Sequence, residues 1–336
     1  MVERSLIVMV DAIRDAVEVA KQAEAAGFDG LWTTEFYDRD GFVRMTALGM
    51  ATSRVRICSG IVYAFVRNPV LTAAGVADLD DLTNGRIVLG LGTGTRRMNE
   101  SWYGVPFEHP APKMRETVQL LHALWAARSG PRFKFDGRFY HIELDNYSLK
   151  QLRRERVPVY VAGVNAGMVR VAGQVADGLV GHPLYSRRYL AEVVRPGLAA
   201  GAVRAGRPAN EPKIAGYVIT SISKDREQAR RDAKRQIAFY STVRTYDPIL
   251  DLHGWADQKQ EIRAAFARRD WQAMAEAVTD DMVDAIAIAG TPDECRAQLD
   301  QYEGLIDEVL FYTPTFDVSR ERVAENHGLI IETFGR

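Results

Sequence analysis

Three glycines at alternate positions, Gly90, Gly92 and Gly94, follow the short apolar run Ile87, Val88 and Leu89 within RIVLGLGTGTRRMNE, residues 86–100. Side chains alternate along a strand, so one side of the chain there carries none. A bare backbone admits close approach of something flat or charged. We read the stretch as the floor of a cofactor site; the plainer alternative is a permissive turn after a strand. It is not the dinucleotide fingerprint, because the last glycine has the wrong spacing and no helix is expected before about residue 113. A second pattern, Gly163-Val164-Asn165-Ala166, leads straight into a predicted helix. Free N–H groups at such a helix start can hold a phosphate; the alternative is an ordinary asparagine cap. A third, Ser59-Gly60-Ile61-Val62, sets a glycine inside an otherwise β-branched strand, which marks a bulge or a close backbone approach.

The elements that must hold these groups alternate regularly. Apolar runs predict strands at residues 6–10, 28–34, 55–63, 86–91, 158–162, 176–181, 214–222 and 308–312. Helical patterns lie between them, at residues 13–26, 42–52, 69–84, 113–127, 167–175, 185–205, 225–240 and 320–333. Gly27 stops the first helix, and Pro69 and Gly85 bracket the third. Asp11 reads as a helix cap. Two segments interrupt the alternation. Residues 132–143, centred on Asp136-Gly137, carry a hairpin signal, and residues 245–282 form a polar insertion with helical character, a candidate lid. A further helix over residues 292–302 starts at a Thr291-Pro292 cap. Eight strands alternating with helices predict an α/β fold, a (β/α)₈ TIM barrel spanning residues 1–336, with insertions after strands four and seven at about 128–150 and 245–284. An open doubly wound sheet is the alternative.

Composition narrows the function. The chain has 336 residues, 47% of them hydrophobic, and a net charge of −1, so no general affinity for nucleic acid or anionic membrane is implied. No apolar run is long enough to span a membrane, and the N-terminal apolar run is too short for a signal-peptide core. The two cysteines, Cys58 and Cys295, have no metal or redox spacing, and no two of the six histidines stand four residues apart, so no metal site is expected. A cytoplasmic location fits this cysteine usage.

In a barrel of this kind the chemistry lies at the C-terminal ends of the strands. Those ends carry Asp11; Glu35, Phe36, Tyr37 and Asp38; Ser59, Gly60, Ile61, Val62 and Tyr63; Thr93, Arg96, Arg97 and Asn99; Gly163, Val164, Asn165 and Ala166; His182; and Thr313. With these residues in view, the chain resembles the luciferase-like flavin and deazaflavin oxidoreductases over nearly its whole length. The resemblance rests on Arg67-Asn68-Pro69, on residues 85–94, and on Met114-Arg115-Glu116 with Leu124-Trp125. It rests also on Phe135-Asp136-Gly137-Arg138-Phe139-Tyr140, on residues 157–162, and on Ala172-Gly173 with Ala176-Asp177-Gly178. Within that superfamily it is most similar to enzymes that use coenzyme F420, a 5-deazaflavin.

The resemblance implies a barrel with a cis peptide at Gly60–Ile61, whose bulge, with Ser59, backs the deazaflavin ring. It implies phosphate binding by Gly163, Val164 and Asn165, contacts of Thr93 and Asn99 with the cofactor, an acidic residue, Glu35, beside the ring, and a homodimer. Departures from the sugar-phosphate dehydrogenase branch are Phe36 in place of a histidine, Thr95 in place of a glutamate, and no lysine in Gly181-His182-Pro183-Leu184. Glucose-6-phosphate activity is therefore not expected. The candidates for moving a proton are Glu35 and His182; their alternatives are a loop salt bridge or cofactor contact for Glu35, and packing before Pro183 for His182. Arg96 and Arg97 are candidates for an anionic tail, and Trp32, Phe65 and Trp102 for an apolar substrate wall. The expected function is hydride transfer between F420 and a small alcohol, carbonyl or activated double bond. An FMN-dependent monooxygenase and a non-catalytic flavin-binding barrel are the alternatives.

Overall fold

The computed structural model describes residues 2–336. Its strands are β1 (Glu3–Ile7), β2 (Gly30–Thr33), β3 (Arg56–Ser59), β4 (Val62–Tyr63), β5 (Ile87–Gly92), β6 (Ser129–Asp136), β7 (His141–Ser148), β8 (Val159–Ala162), β9 (Gly178–Val180), β10 (Lys213–Ile222), β11 (Ile288–Gly290) and β12 (Glu308–Tyr312). Eight of them close a ring in the order β1, β2, β3, β5, β8, β9, β10, β12, and β12 returns to β1 with Leu6 opposite Phe311. All pairs in the ring are parallel. Helices cover the outside, so these strands are buried on both faces and read as continuous apolar runs. The chain is a (β/α)₈ barrel, as the alternation of its elements predicts.

The bottom of the barrel is sealed by a buried polar cluster. Glu308 accepts from the Ser5 hydroxyl and from Trp32 Nε1 at 2.9 Å, and faces Arg56 at 3.2 Å. Burial holds the Glu308 carboxyl above the ordinary range, and Arg56 opposes that shift. Trp32, expected at a substrate wall, is instead fully buried in this cluster. Its indole N–H needs a partner when buried, and Glu308 supplies it.

Local chemistry sets the helix starts. Asn68 caps helix Pro69–Leu82 by accepting from Val70 and Leu71 N–H, 2.9 and 3.3 Å, with proline in the first turn. Thr291 and Glu294 form a reciprocal capping box on helix Pro292–Leu299. Asp11 is not a cap: Ala12 occupies that position, and the exposed Asp11 pairs with Arg320 at 3.0 Å. The hairpin β6–β7 forms as expected, but four residues make its turn, since Asp136 pairs with His141. Glu116, on helix Pro110–Ala127, holds that turn by accepting from the amides of Arg138, Phe139 and Tyr140 at 2.9, 2.7 and 2.8 Å. Gly137 is required there, because a Cβ would lie 2.2 Å from Glu116 Oε1.

Several boundaries differ from the sequence expectation; the first strand, expected at residues 6–10, runs Glu3–Ile7, because the pairing with β12 begins at Glu3. The third barrel strand breaks after Ser59, and its continuation β4 pairs with β5 past a bulge at Gly60–Ile61. The polar insertion is a packed set of helices, Asp247–Leu252, Ala256–Arg268, Trp271–Glu276 and Asp280–Ile286. It buries Leu250, Ile262, Met274 and Met282. Its apolar residues are interspersed with charged ones, and Phe266 stays exposed while these four pack inward. Among the described residues no helix is long and apolar enough to cross a membrane, and no group of three or more His, Cys, Asp or Glu is placed to hold a metal ion. Both cysteines are buried and free.

Candidate active site

The peptide bond Gly60–Ile61 is cis, and the bulge it forms sits at the C-terminal mouth between β2 and β5. On the β2 side, Gly60 N–H donates to Thr33 O at 2.7 Å and Glu35 N–H to Ile61 O at 3.1 Å. On the β5 side, the Ser59 hydroxyl donates to Gly90 O at 2.9 Å and accepts from Gly90 N–H at 2.8 Å. From across the barrel, the Tyr217 hydroxyl donates to Gly60 O.

This arrangement explains the alternate glycines. A Cβ at Gly90 would lie 1.8 Å from Ser59 O, and one at Gly92 would lie 2.6 Å from Ile61 Cγ1. The close approach legible in the sequence is therefore that of the bulge itself. Gly94, with φ +65°, then turns the chain. A π-helical segment, Met98–Trp102, follows at once, where the sequence suggested no helix before residue 113. Asn99 is buried there, and its Nδ2 donates to Thr93 O and Thr95 O at 2.7 and 2.9 Å. Its Oδ1 has no partner. Thr93 turns its hydroxyl onto Gly94 O at 2.8 Å.

Glu35 is buried and fully engaged. Its carboxylate accepts from Tyr63 N–H at 3.0 Å, from Gly41 N–H at 3.2 Å, and from Arg67 through both Nε and Nη2. Arg67 also reaches Asp40 at 2.6 Å. Of the three readings the sequence allowed for Glu35, the structure builds the loop salt bridge, with four donors around one carboxylate.

Gly163, Val164 and Asn165 follow β8 and lead into helix Ala166–Val175. The first hydrogen bond of that helix runs from Val169 N–H to Asn165 O, 3.1 Å. The amides of Ala166, Gly167 and Met168 thus lie outside its ladder, and the Asn165 side chain makes no cap bond. Two tyrosines hold the loop carbonyls: Tyr185 donates to Gly163 O, and Tyr189 to Val164 O at 3.0 Å. With the carbonyls committed and the amides free, the loop end is suited to an anion.

His182, after β9, is half-buried between two tyrosines. Its ring centroid lies 3.9 Å from that of Tyr246 and 4.8 Å from that of Tyr240, which meets it edge-on. Nδ1 accepts from Leu184 N–H at 3.1 Å, so a neutral ring carries its proton on Nε2. Nε2 has no protein partner and is not sealed from solvent. Burial pushes the pKa of His182 down to about 3. The ring is a neutral hydrogen-bond donor across the physiological range.

Sequence reading missed the phenols. Tyr217, Tyr240 and Tyr312 group at the mouth, with Tyr240 donating to Tyr312 at 2.9 Å. Burial raises the pKa of each. Tyrosine in an apolar strand reads as core, and only its polar tip hints otherwise. Phe65 packs against Phe107 and under Lys113, while Trp102 is exposed. Arg96 pairs with Glu100 at 2.6 Å; Arg97 is exposed and has no protein partner.

The luciferase-like monooxygenase family model matches residues 3–308. A protein of Mycobacterium tuberculosis, itself uncharacterised, is 35% identical over 302 residues, covering 88% of each chain. The 5,10-methylenetetrahydromethanopterin reductase of Methanolobus tindarius is 31% identical over 298 residues, covering 87% of each. The structure of the coenzyme F420-dependent tetrahydromethanopterin reductase from Methanopyrus kandleri superposes with a TM-score of 0.84 at 23% identity, covering 99% of this chain and 98% of that one.

Proposed function

Since this chain belongs to the luciferase-like monooxygenase family and is an enzyme, as its reductase relatives are, we propose that it is an F420-dependent oxidoreductase acting on a small alcohol, carbonyl or activated double bond. The observation that carries the reading is the loop after β8, with its free helix amides and tied-back carbonyls, set in a barrel whose mouth is formed by the bulge at Gly60–Ile61. Its similarity to a methylenetetrahydromethanopterin reductase, and its superposition on an F420-dependent tetrahydromethanopterin reductase, support F420 over FMN.

The residues present fit such a cofactor. Gly163, Val164 and Asn165, with the amides that open the helix, would hold its phosphate. Thr93 and Asn99, tied together on the loop after β5, would lie along the cofactor. Ser59, Gly60 and Ile61 would back the ring. When bound, the deazaflavin supplies or accepts the hydride. The protein must then stabilise charge at the substrate's heteroatom. His182 can do so from Nε2, donating a hydrogen bond without first taking up a proton. Glu35, closed in by Arg67 and two amides, instead fixes the geometry of the loops on both sides of the bulge. Exposed Val43, Met50 and Leu71 on the neighbouring helices Gly41–Ala51 and Pro69–Leu82 support a homodimer through these helices.

The test is titration of the purified protein with F420 and, separately, FMN, followed by quenching of tryptophan fluorescence. Tight F420 binding with weak FMN binding is expected. Tight FMN binding with weak F420 binding would overturn the assignment and make oxygen consumption the next assay.

A further inference from the structure

Beside the bulge, a pocket of about 580 Å³ opens between the loops after β2 and β4; Glu35, Phe36, Tyr37, Arg39, Arg67 and Tyr103 are in its wall. It adjoins the hydride site of the proposed reaction, because Glu35 lines it and also bonds to Ile61 O. Its charges are already matched. Arg67 is held by Glu35 and by Asp40 at 2.6 Å, and Arg39 by Asp38 at 2.9 Å. Two cations and three carboxylates leave nothing in the wall to neutralise a phosphate or carboxylate on a ligand.

Its rim is aromatic and open. Phe36, Tyr37 and Trp102 form a closed trio: Phe36 and Tyr37 centroids are 4.6 Å apart, Phe36 and Trp102 5.4 Å, and Tyr37 and Trp102 5.6 Å, with Trp102 edge-on to both others. Tyr37 is 69% exposed and Trp102 42% exposed. Tyr37, in the pocket wall, presents its ring to solvent, with the Trp102 ring edge-on beside it, and such a ring marks a surface for another.

We propose that this pocket receives the ring of the substrate, an uncharged, planar aromatic ring system laid on Tyr37 with Trp102 edge-on beyond it, its carbonyl or hydroxyl left free for the hydride site at the bulge. The volume suits a molecule of two or three fused rings. As a statement about the substrate it rests on the oxidoreductase reading; as a statement about binding it does not.

The experiment is isothermal titration calorimetry of the full chain with 1-tetralone, a neutral bicyclic aromatic ketone. Cyclohexanone serves as the same carbonyl without the aromatic ring, and glucose 6-phosphate as a charged ligand. Wild type, Trp102→Ala, Tyr37→Ala and Trp102→Phe are compared, and F420 is titrated into each. Both side chains are exposed, so thermal unfolding midpoints should stay close to wild type. We expect 1-tetralone to bind more tightly than either control. Each alanine variant should weaken it by roughly three- to tenfold, and Trp102→Phe should restore most of the loss. Equal binding of 1-tetralone by wild type and the alanine variants, or preference for glucose 6-phosphate, overturns the inference. If 1-tetralone behaves as expected while F420 does not bind, the cofactor assignment fails and the aromatic site stands. If F420 binds and 1-tetralone is indifferent to Tyr37 and Trp102, the site fails alone.

Discussion

Replacing His182 should remove a specific part of the chain's acid sensitivity. In the folded chain the ring is packed against Tyr246 and Tyr240, and its Nδ1 accepts from a backbone amide. No carboxylate touches it, so burial alone lowers its pKa, to about 3. In the unfolded chain it titrates near its ordinary value of about 6.5. Between these values the unfolded state binds one proton more than the folded state, so stability falls as pH falls. The contribution is fully present above pH 6.5 and declines by about 1.4 kcal/mol per unit below it, reaching a loss of about 2 kcal/mol at pH 5. His122, pushed down to about 4, and His327, also lowered by burial, add slopes of the same sign. The variant that isolates His182 is His182→Asn, because the asparagine oxygen can still accept from Leu184 N–H while nothing titrates. Urea unfolding at pH 7.5 and pH 5.0 should show wild type losing about 2 kcal/mol more than His182→Asn between the two conditions. Equal losses would mean that the folded chain protonates His182 as readily as the unfolded one. The reading of Nε2 as a fixed neutral donor would then be wrong. The same reasoning predicts no limb near pH 6.5 in the pH–rate profile.

Four further outcomes follow from the geometry. Gly90→Ala places a Cβ 1.8 Å from the Ser59 carbonyl, a backbone atom that cannot step aside, and should abolish soluble folded protein; Gly328→Ala, inside helix Arg320–Phe334 with nothing within 4 Å, should raise the unfolding midpoint by a stability gain of about 0.5–1 kcal/mol. Arg67→Ala leaves the buried Glu35 carboxylate without its cation and should cost about 3–5 kcal/mol in denaturant unfolding, with Glu35→Gln on the same background recovering part of it. Ala166→Glu puts a negative charge among the free amides after β8, so F420 affinity should fall by about tenfold or more in the fluorescence titration while the midpoint holds, since an acidic residue suits a helix N-terminus.

The barrel was legible because both faces of its strands are covered. VPVYVA and EVLFY need no partner to be read as strands, whereas LIVMV marks the first strand but only its first two residues lie in it, and the glycines and prolines between the strands mark the helix ends. The insertion at residues 245–284 was harder to read. Leu250, Ile262, Met274 and Met282 are diluted among charged residues, and only the helical spacing shows that they make a core. At the mouth, sequence located the strand ends but not the partners. Glu35 stands at the end of β2, yet Arg67, which fixes its state, comes 32 positions later from a different loop. Nothing in the spacing joins Tyr217 to Gly60, 157 positions away, or Tyr185 to Gly163. Such contacts are products of the closed ring, which brings strand ends together regardless of their separation in the chain.

The charges at the mouth follow one pattern. Arg39, Arg67 and Arg96 are each committed to a carboxylate within the chain, and among the arginines of these loops only Arg97 stands exposed without a partner. An anion arriving at the β2 side would have to compete with Asp38, Asp40 and Glu35 for cations already bound. At the β8 side it meets unpaired amides and no competing carboxylate cap, because Asn165 makes no cap bond and Tyr185 and Tyr189 hold the carbonyls back. Backbone dipoles bind a phosphate through fixed geometry and leave the side chains free for other work. On the proposed reading the barrel would keep the two recognitions apart: the charged part of a ligand with the amides after β8, and an uncharged ring with the aromatics after β2.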